Sequence, residues 1–303
     1  MRNQSTKAVL SIIIMWIFEV LIHSDSAAFL DLKPYIDKEK QNNFEQLDKH
    51  SKFSCSDVIG ISQSECKTLV HFYQNTTGQD WYKNEGWLQT NQPCRWYGIR
   101  CMERSVISIS TSQTLSGNNL IGEIPNLSNL TQLRTLILSN NQLSGTIPDI
   151  STLTQLSMLI LSNNQLSGVI PVLSNLAQLR TLVLSNNRLS GTIPDISALI
   201  RLKMVSLKQN QFSGIIPNIS NLTRLKVLSL EENQFNGEIS HLVDLKQLIY
   251  LNLSNNQLSG VIPDLTTLSQ LQTLSLFGNN LCRNLNIDYG KWNNNLIKYP
   301  VCK

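Results

Sequence analysis

The side chains able to do chemistry are few and scattered. The histidines are His23, His50, His71 and His241, and only His241 lies between Val106 and Leu281. The six cysteines, Cys55, Cys66, Cys94, Cys101, Cys282 and Cys302, all fall outside that stretch. Catalysis needs titratable groups that converge in a cleft, and no GxSxG, HExxH, P-loop or strand-linked GxGxxG is present. Glu231 and Glu232 form a carboxylate pair, but adjacent strand residues point to opposite sides. The pair is therefore expected as a solvated edge, not an acid–base couple. Asp149, Asp195 and Asp264 each follow an Ile-Pro pair, a place where a carboxylate caps a turn, and calcium is not expected there. The cysteine spacings include no CxxC, which argues against a zinc site. No catalytic residue, cofactor or metal site is expected, and the chain is expected not to be an enzyme.

The cysteines instead suggest disulfides, because an even count in an exported chain reads as pairs. Position along the chain narrows the pairing to Cys94–Cys101 and Cys282–Cys302, which leaves Cys55–Cys66. Export is read from the N-terminus. Arg2 and Lys7 precede an apolar stretch from Ala8 to Phe18, and Ser24, Ser26, Ala27 and Ala28 offer a cleavage site. This is the pattern of a signal peptide over residues 1–26. The uninterrupted apolar run is about ten residues, against the roughly 18–20 that a membrane span requires. A polar leader of mixed charge, residues 27–54, follows. No second apolar run of spanning length appears, so the mature chain is expected without a membrane span, and secreted or at the cell surface.

Formal net charge over 303 residues is only +4. Between Val106 and Leu281 stand nine Lys/Arg and eight Asp/Glu, a balance of 9 − 8 = +1. A nucleic-acid binder usually carries a basic stripe. Read along the chain, this region shows none, and no nucleic-acid partner is expected.

What dominates the chain is repetition. Leu133, Leu156, Leu179, Leu202, Leu225, Leu248 and Leu271 recur at one constant interval, 156 − 133 = 23. Each opens LxxLxLxxN, with Val205 replacing Leu in the fourth unit. A degenerate eighth frame precedes them: Leu115, Asn118, Leu120, Gly122 and Pro125 sit one interval before Leu138, Asn141, Leu143, Gly145 and Pro148. The LxL alternation sends both leucines to one face of a strand. Asn141 falls where the chain turns, and its amide can satisfy neighbouring backbone groups. Gly145 permits a conformation barred to other residues, and Pro148 fixes φ. Ile150, Leu153 and Leu156 recur every three residues, the spacing of a 3₁₀-like or helical return.

LxxLxLxxNxLxGxIP resembles the leucine-rich repeat family, and LSGxIP resembles its plant-type class. The unit here departs from that class by being one residue shorter than usual and by reading IPDI where IPxxL is usual. The resemblance implies an α/β-type solenoid, a right-handed curved stack with parallel β-strands on the concave face and short helical, 3₁₀ or irregular returns on the convex face. The Trp-rich stretch from Trp81 to Cys101 resembles that class's N-terminal cap, and Leu281 to Cys302 resembles a C-terminal cap. Caps cover leucines that terminal repeats would expose, so Trp81, Trp87 and Trp96 are expected as cap core. The expected organisation is an N-terminal cap over 55–105, about eight repeats over 106–281 and a C-terminal cap over 282–303.

With chemistry absent, recognition remains. The non-leucine strand positions line the concave face as ladders. They are nearly uniform in the first three repeats and diversify from the fourth onward. Aromatic residues, Met and Arg are enriched at protein contacts. A partner surface is therefore expected around Met204, Lys208, Val227, Glu231, Tyr250 and Phe277. The resemblance implies binding of an extracellular protein or peptide, or inhibition of a secreted wall-degrading enzyme. A surface adhesin or structural protein contacting carbohydrate through the Ser/Asn/Thr ladders is the alternative. Glycosylation sequons stand at Asn75, Asn126, Asn129, Asn218, Asn221 and Asn252.

Overall fold

The structure is a computed structural model that describes residues 53–111 and 117–302. The expected signal peptide, all of the leader before Phe53, and Leu115 lie outside the described residues.

The leucine spacing does fold each unit into a coil. Thr135–Ile137, Met158–Ile160, Thr181–Val183, Met204–Ser206, Val227–Ser229, Tyr250–Asn252 and Thr273–Ser275 are strands that pair in parallel, each with its counterpart in the next repeat. Together with Ser105–Ser110 and an antiparallel edge strand, Ile99–Met102, they form a nine-stranded front sheet. The LxL leucines are buried behind it in one continuous core with the leucines of the returns. Those returns are turns closed by short-range bonds, such as the Leu153 and Leu156 amides donating to the Ile150 and Leu153 carbonyls, both at 2.9 Å. Asp149, Asp195 and Asp264 cap them by accepting the amide of the residue two ahead, at 2.9 Å each.

The eighth frame is corrected. Its strand does not lie one repeat interval before Thr135, because Ser108 pairs with Thr135, an offset of 135 − 108 = 27. The Thr111 amide donates to the Ile137 carbonyl, as the Leu138 amide donates to that of Ile160. Thr111 therefore takes the slot the spacing had given to Leu115. The frame rejoins the register of the repeats at Asn118, whose backbone amide donates to Asn141 Oδ1 at 2.9 Å.

A second parallel sheet was not legible in the repeat. Short strands after each turning Asn, including Arg188–Gly191, Gln211–Ile215, Gln234–Gly237 and Gln257–Val261, pair into a six-stranded sheet. Glycine is required in it. Gly168 and its counterparts through Gly260 sit at φ between 77° and 85°, where an L side chain is strained.

The turning asparagines tie successive coils together. Asn187 Nδ2 donates to the carbonyls of Leu161, Leu184 and Ser185 at 3.0, 3.1 and 3.3 Å, and its Oδ1 accepts the Leu166 amide at 3.0 Å. Asn164, Asn210, Asn233 and Asn256 repeat the arrangement.

Both ends are closed covalently by Cys55–Cys66, Cys94–Cys101 and Cys282–Cys302. At the N-terminal end a helix, Gln63–Asn75, starts with a capping box between Ser62 and Glu65. Glu65 Oε1 also accepts the Val106 amide at 2.9 Å, fastening the helix to the front sheet. Trp81, Trp87 and Trp96 are buried in one aromatic cluster with Phe72. Their indole N–H groups donate to the carbonyls of Thr76, Tyr97 and Thr90, so they are cap core.

Replacing Asn187 by Ala strands backbone groups in two coils. It is expected to lower unfolding free energy by about 2–4 kcal/mol. Asn186→Gly, at a left-handed position with φ 57°, is expected to stay within about 0.5 kcal/mol. Urea denaturation of both variants checks the contrast.

Candidate binding face

The front sheet arranges the non-leucine positions in columns. The register sets Met204, Val227, Tyr250 and Thr273 side by side in one column, and Ser206, Ser229, Asn252 and Ser275 in the next. Ile137, Ile160 and Val183 hold that second column in the earlier coils, so the face changes from apolar to polar along its length. A third column, two residues beyond the second, reads Ser139, Ser162, Ser185, Lys208, Glu231, Ser254 and Phe277.

The six expected partner residues do lie on this one face, but their exposure differs from the expectation. Tyr250 is only 2% exposed and Glu231 7%, with Met204 and Val227 also buried. Lys208 is half-buried, and Phe277 is 50% exposed. Columns of strands stacked at roughly 4.8 Å flank each side chain on two sides. Tyr250 therefore belongs to the floor of the face and does not stand out as an exposed anchor. Beside Phe277 a cavity of about 240 Å³ opens toward Leu296, Lys298 and Tyr299. Burial pushes the Tyr299 hydroxyl up to about 12.

Glu231 is corrected as well, since it is not a solvated edge. Ser229 Oγ donates to its Oε2 at 2.6 Å. Burial raises the carboxyl above its ordinary range, against the opposing effects of the Ser229 hydrogen bond and the Lys208 charge. Next to it, Asn252 Nδ2 donates to Tyr250 Oη at 3.3 Å, and the Ser254 amide and hydroxyl donate to Asn252 Oδ1 at 3.1 and 2.7 Å. Burial, then the Glu231 charge, raises the Tyr250 hydroxyl. His241 lies away from this face, in the short 3₁₀ return Ser240–Asp244, where burial lowers its imidazole.

Just past the third column the backbone is left-handed. Asn140, Asn163, Asn186, Gln209, Glu232 and Asn255 have φ between 53° and 58°. Asn tolerates this region, whereas Gln and Glu do so at greater cost. Coils four and five thus replace Ser-Asn by Lys208-Gln209 and Glu231-Glu232, with Gln209 Nε2 donating to Glu232 Oε2 at 2.9 Å. The sequence contained this signal, but it becomes informative only once the φ values are known.

Residues 131–189 match a family model described as Leucine rich repeat, and residues 247–267 match a second, Leucine Rich Repeat. The repeats over these residues are leucine-rich repeats. The chain's disulfide-closed flanks and its relatives fit the plant-type class. A probable leucine-rich repeat receptor-like protein kinase of Arabidopsis thaliana is 42% identical over 77 residues, 25% of this chain and 11% of the relative. Among solved structures, PEPR1 with AtPEP1 is 31% identical with a TM-score of 0.62, covering 72% of this chain and 32% of that one. The Arabidopsis receptor kinase HAESA, in complex with the peptide hormone IDA and the co-receptor SERK1, is 30% identical with a TM-score of 0.57, covering 72% and 42%. This leucine-rich repeat chain therefore spans less than half the length of these relatives. Among the described residues no helix is long and apolar enough to cross a membrane.

The raised carboxyl gives a pH prediction. A group whose folded pKa exceeds its unfolded value adds stability below the unfolded value and loses it as pH rises through the folded one. Ionised Glu231 therefore costs stability at neutral pH. Glu231→Gln keeps an acceptor for Ser229 and is expected to raise Tm at pH 7. The gain is expected to shrink as pH falls and to vanish below about pH 4, under the unfolded glutamate pKa. Thermal melts across pH read it directly.

Proposed function

We propose that this protein is an exported, non-catalytic binding protein that takes a peptide or a protein segment along the front sheet of coils four to seven. Lys208, the floor of Met204, Val227, Glu231 and Tyr250, and Phe277 with its adjoining cavity make the contact. The observation that carries the reading is the paired substitution at Lys208-Gln209 and Glu231-Glu232. At the left-handed positions the repeat's own Asn is the cheaper residue, and local backbone cost concentrates at functional sites. The HAESA complex with a peptide hormone supports peptide as the ligand class. Inhibition of a secreted enzyme is one form such binding takes.

Restoring the repeat at four positions, Lys208→Ser, Gln209→Asn, Glu231→Ser and Glu232→Asn, is expected to leave Tm unchanged or higher while abolishing peptide enrichment from a displayed random library. Equal enrichment by the reverted chain would remove the front sheet of coils four and five from the reading.

Export brings the sequons into play. Asn75, Asn126, Asn129, Asn218 and Asn221 are exposed, whereas Asn252 is buried with its amide hydrogen-bonded to Tyr250. On expression through a eukaryotic secretory pathway, glycosidase treatment is expected to release mass from the exposed sites and none from Asn252. Peptide mass mapping locates each glycan.

A further inference from the structure

The near-neutral charge of the repeats is an average over two unlike edges. The residue just before each front strand forms a column, reading Arg134, Ser157, Arg180, Lys203, Lys226, Ile249 and Gln272. Backbone bonds hold this column in register: the Ser157 amide donates to Arg134, Arg180 to Ser157, Lys203 to Arg180, Lys226 to Lys203 and Ile249 to Lys226, at 2.8 or 2.9 Å. Two residues earlier, across a buried leucine, runs Gln132, Gln155, Gln178, Arg201, Arg224, Gln247 and Gln270. Arg201 Nη1 donates to Gln178 Oε1 at 2.5 Å, so this column too is stacked.

The segments that build the edge are TQLR, TQLS, AQLR, IRLK, TRLK, KQLI and SQLQ. They hold seven of the nine cations between Val106 and Leu281, namely Arg134, Arg180, Arg201, Lys203, Arg224, Lys226 and Lys246, and none of the eight acids. The acids Glu123, Asp149, Asp195, Glu231, Glu232, Glu238, Asp244 and Asp264 all lie beyond the front strands, in the turns, the short strands and segments that follow the turns, or the returns. The expectation of no basic stripe, drawn from the linear sequence, is thereby corrected: the register of the repeats builds one. Arg134, Arg201, Arg224 and Lys246 are exposed along it.

We propose that this edge, distinct from the front sheet, binds a linear acidic polysaccharide. Arg201 and Arg224 are exposed like charges in adjacent coils of one column and repel, which an anionic partner lying along the stack would relieve. The neighbouring residues choose among polyanions. Gln132, Gln155, Gln178, Gln247 and Gln270 interleave amides with the cations, which suits sugar hydroxyls between carboxylates or sulfates. None of the seven segments contains an aromatic residue, whereas single-stranded nucleic acid is held by stacking on aromatic rings and protein contacts lean on aromatic anchors.

The test uses the full mature chain with three probes at roughly 50 and 200 mM salt: polygalacturonate, heparin and a neutral galactan, with single-stranded DNA as a fourth arm. Binding to polygalacturonate or heparin, weakened by salt, and no binding to galactan are expected. Arg201→Gln, Lys203→Gln, Arg224→Gln and Lys226→Gln together place residues that the same columns already carry elsewhere, so Tm should hold. Affinity for the acidic glycan should fall about tenfold or more. Arg188→Gln removes one cation from the second sheet and should leave binding intact. A carboxylate-only or sulfate-only response supports the proposal and identifies the anion. The proposal is overturned by absence of glycan binding, by equal loss in the Arg188 variant, or by DNA binding as tight as the glycan's.

Discussion

One side-chain amide per coil governs this molecule. A leucine core stacks without direction, since apolar contact is not oriented. The Asn187 type of bond is oriented: its nitrogen reaches carbonyls in its own coil and the coil before, while its oxygen takes an amide from the preceding coil's turn. With hydrogen-bonded, at least half-buried polar groups on each side of every junction, a coil rotated or slipped by one residue leaves several of them unpaired. The strict spacing of the repeat follows from that requirement, and so do the columns on the front sheet and along the basic edge.

The fold was almost fully legible, because the positions that define it are the ones that repeat. Leu136, Leu138, Asn141 and Gly145 are fixed by stacking, and their spacing alone gives the front sheet and the turn. Two elements were not legible, for different reasons. The second sheet is made by backbone bonds around Ser-Gly, residues that carry no strand signal of their own. The first coil departs from the period between Thr111 and Asn118, where its four extra residues fall, so a Leu aligned by count sat in the wrong slot.

For the proposed binding face, the sequence showed which positions diversify and not how deep they lie. Lys208, Glu231 and Tyr250 share one face, but depth depends on flanking neighbours a full repeat away, which a linear reading does not weigh. The same blindness hid the basic edge. Charges a whole coil apart along the chain, such as Arg180 and Lys203 or Arg201 and Arg224, become neighbours only after coiling. In a solenoid the nearest electrostatic neighbours of a residue are its counterparts in adjacent coils, so net charge per region says little about any one surface.

The placement of the cysteines has a mechanical consequence. All three disulfides lie in the end caps, and none crosses a coil between Val106 and Leu281. A linear array held by nearest-neighbour contacts ordinarily frays from its ends, and here both ends are stapled. Loss of structure is thereby moved inward, toward the coil with the poorest fit. The return of coil five is that place: Ser240 stands where the others carry Pro, and the buried Nε2 of His241 has no hydrogen-bond partner among the described residues. Opening of such an array is then expected to begin between the stapled ends and not at them.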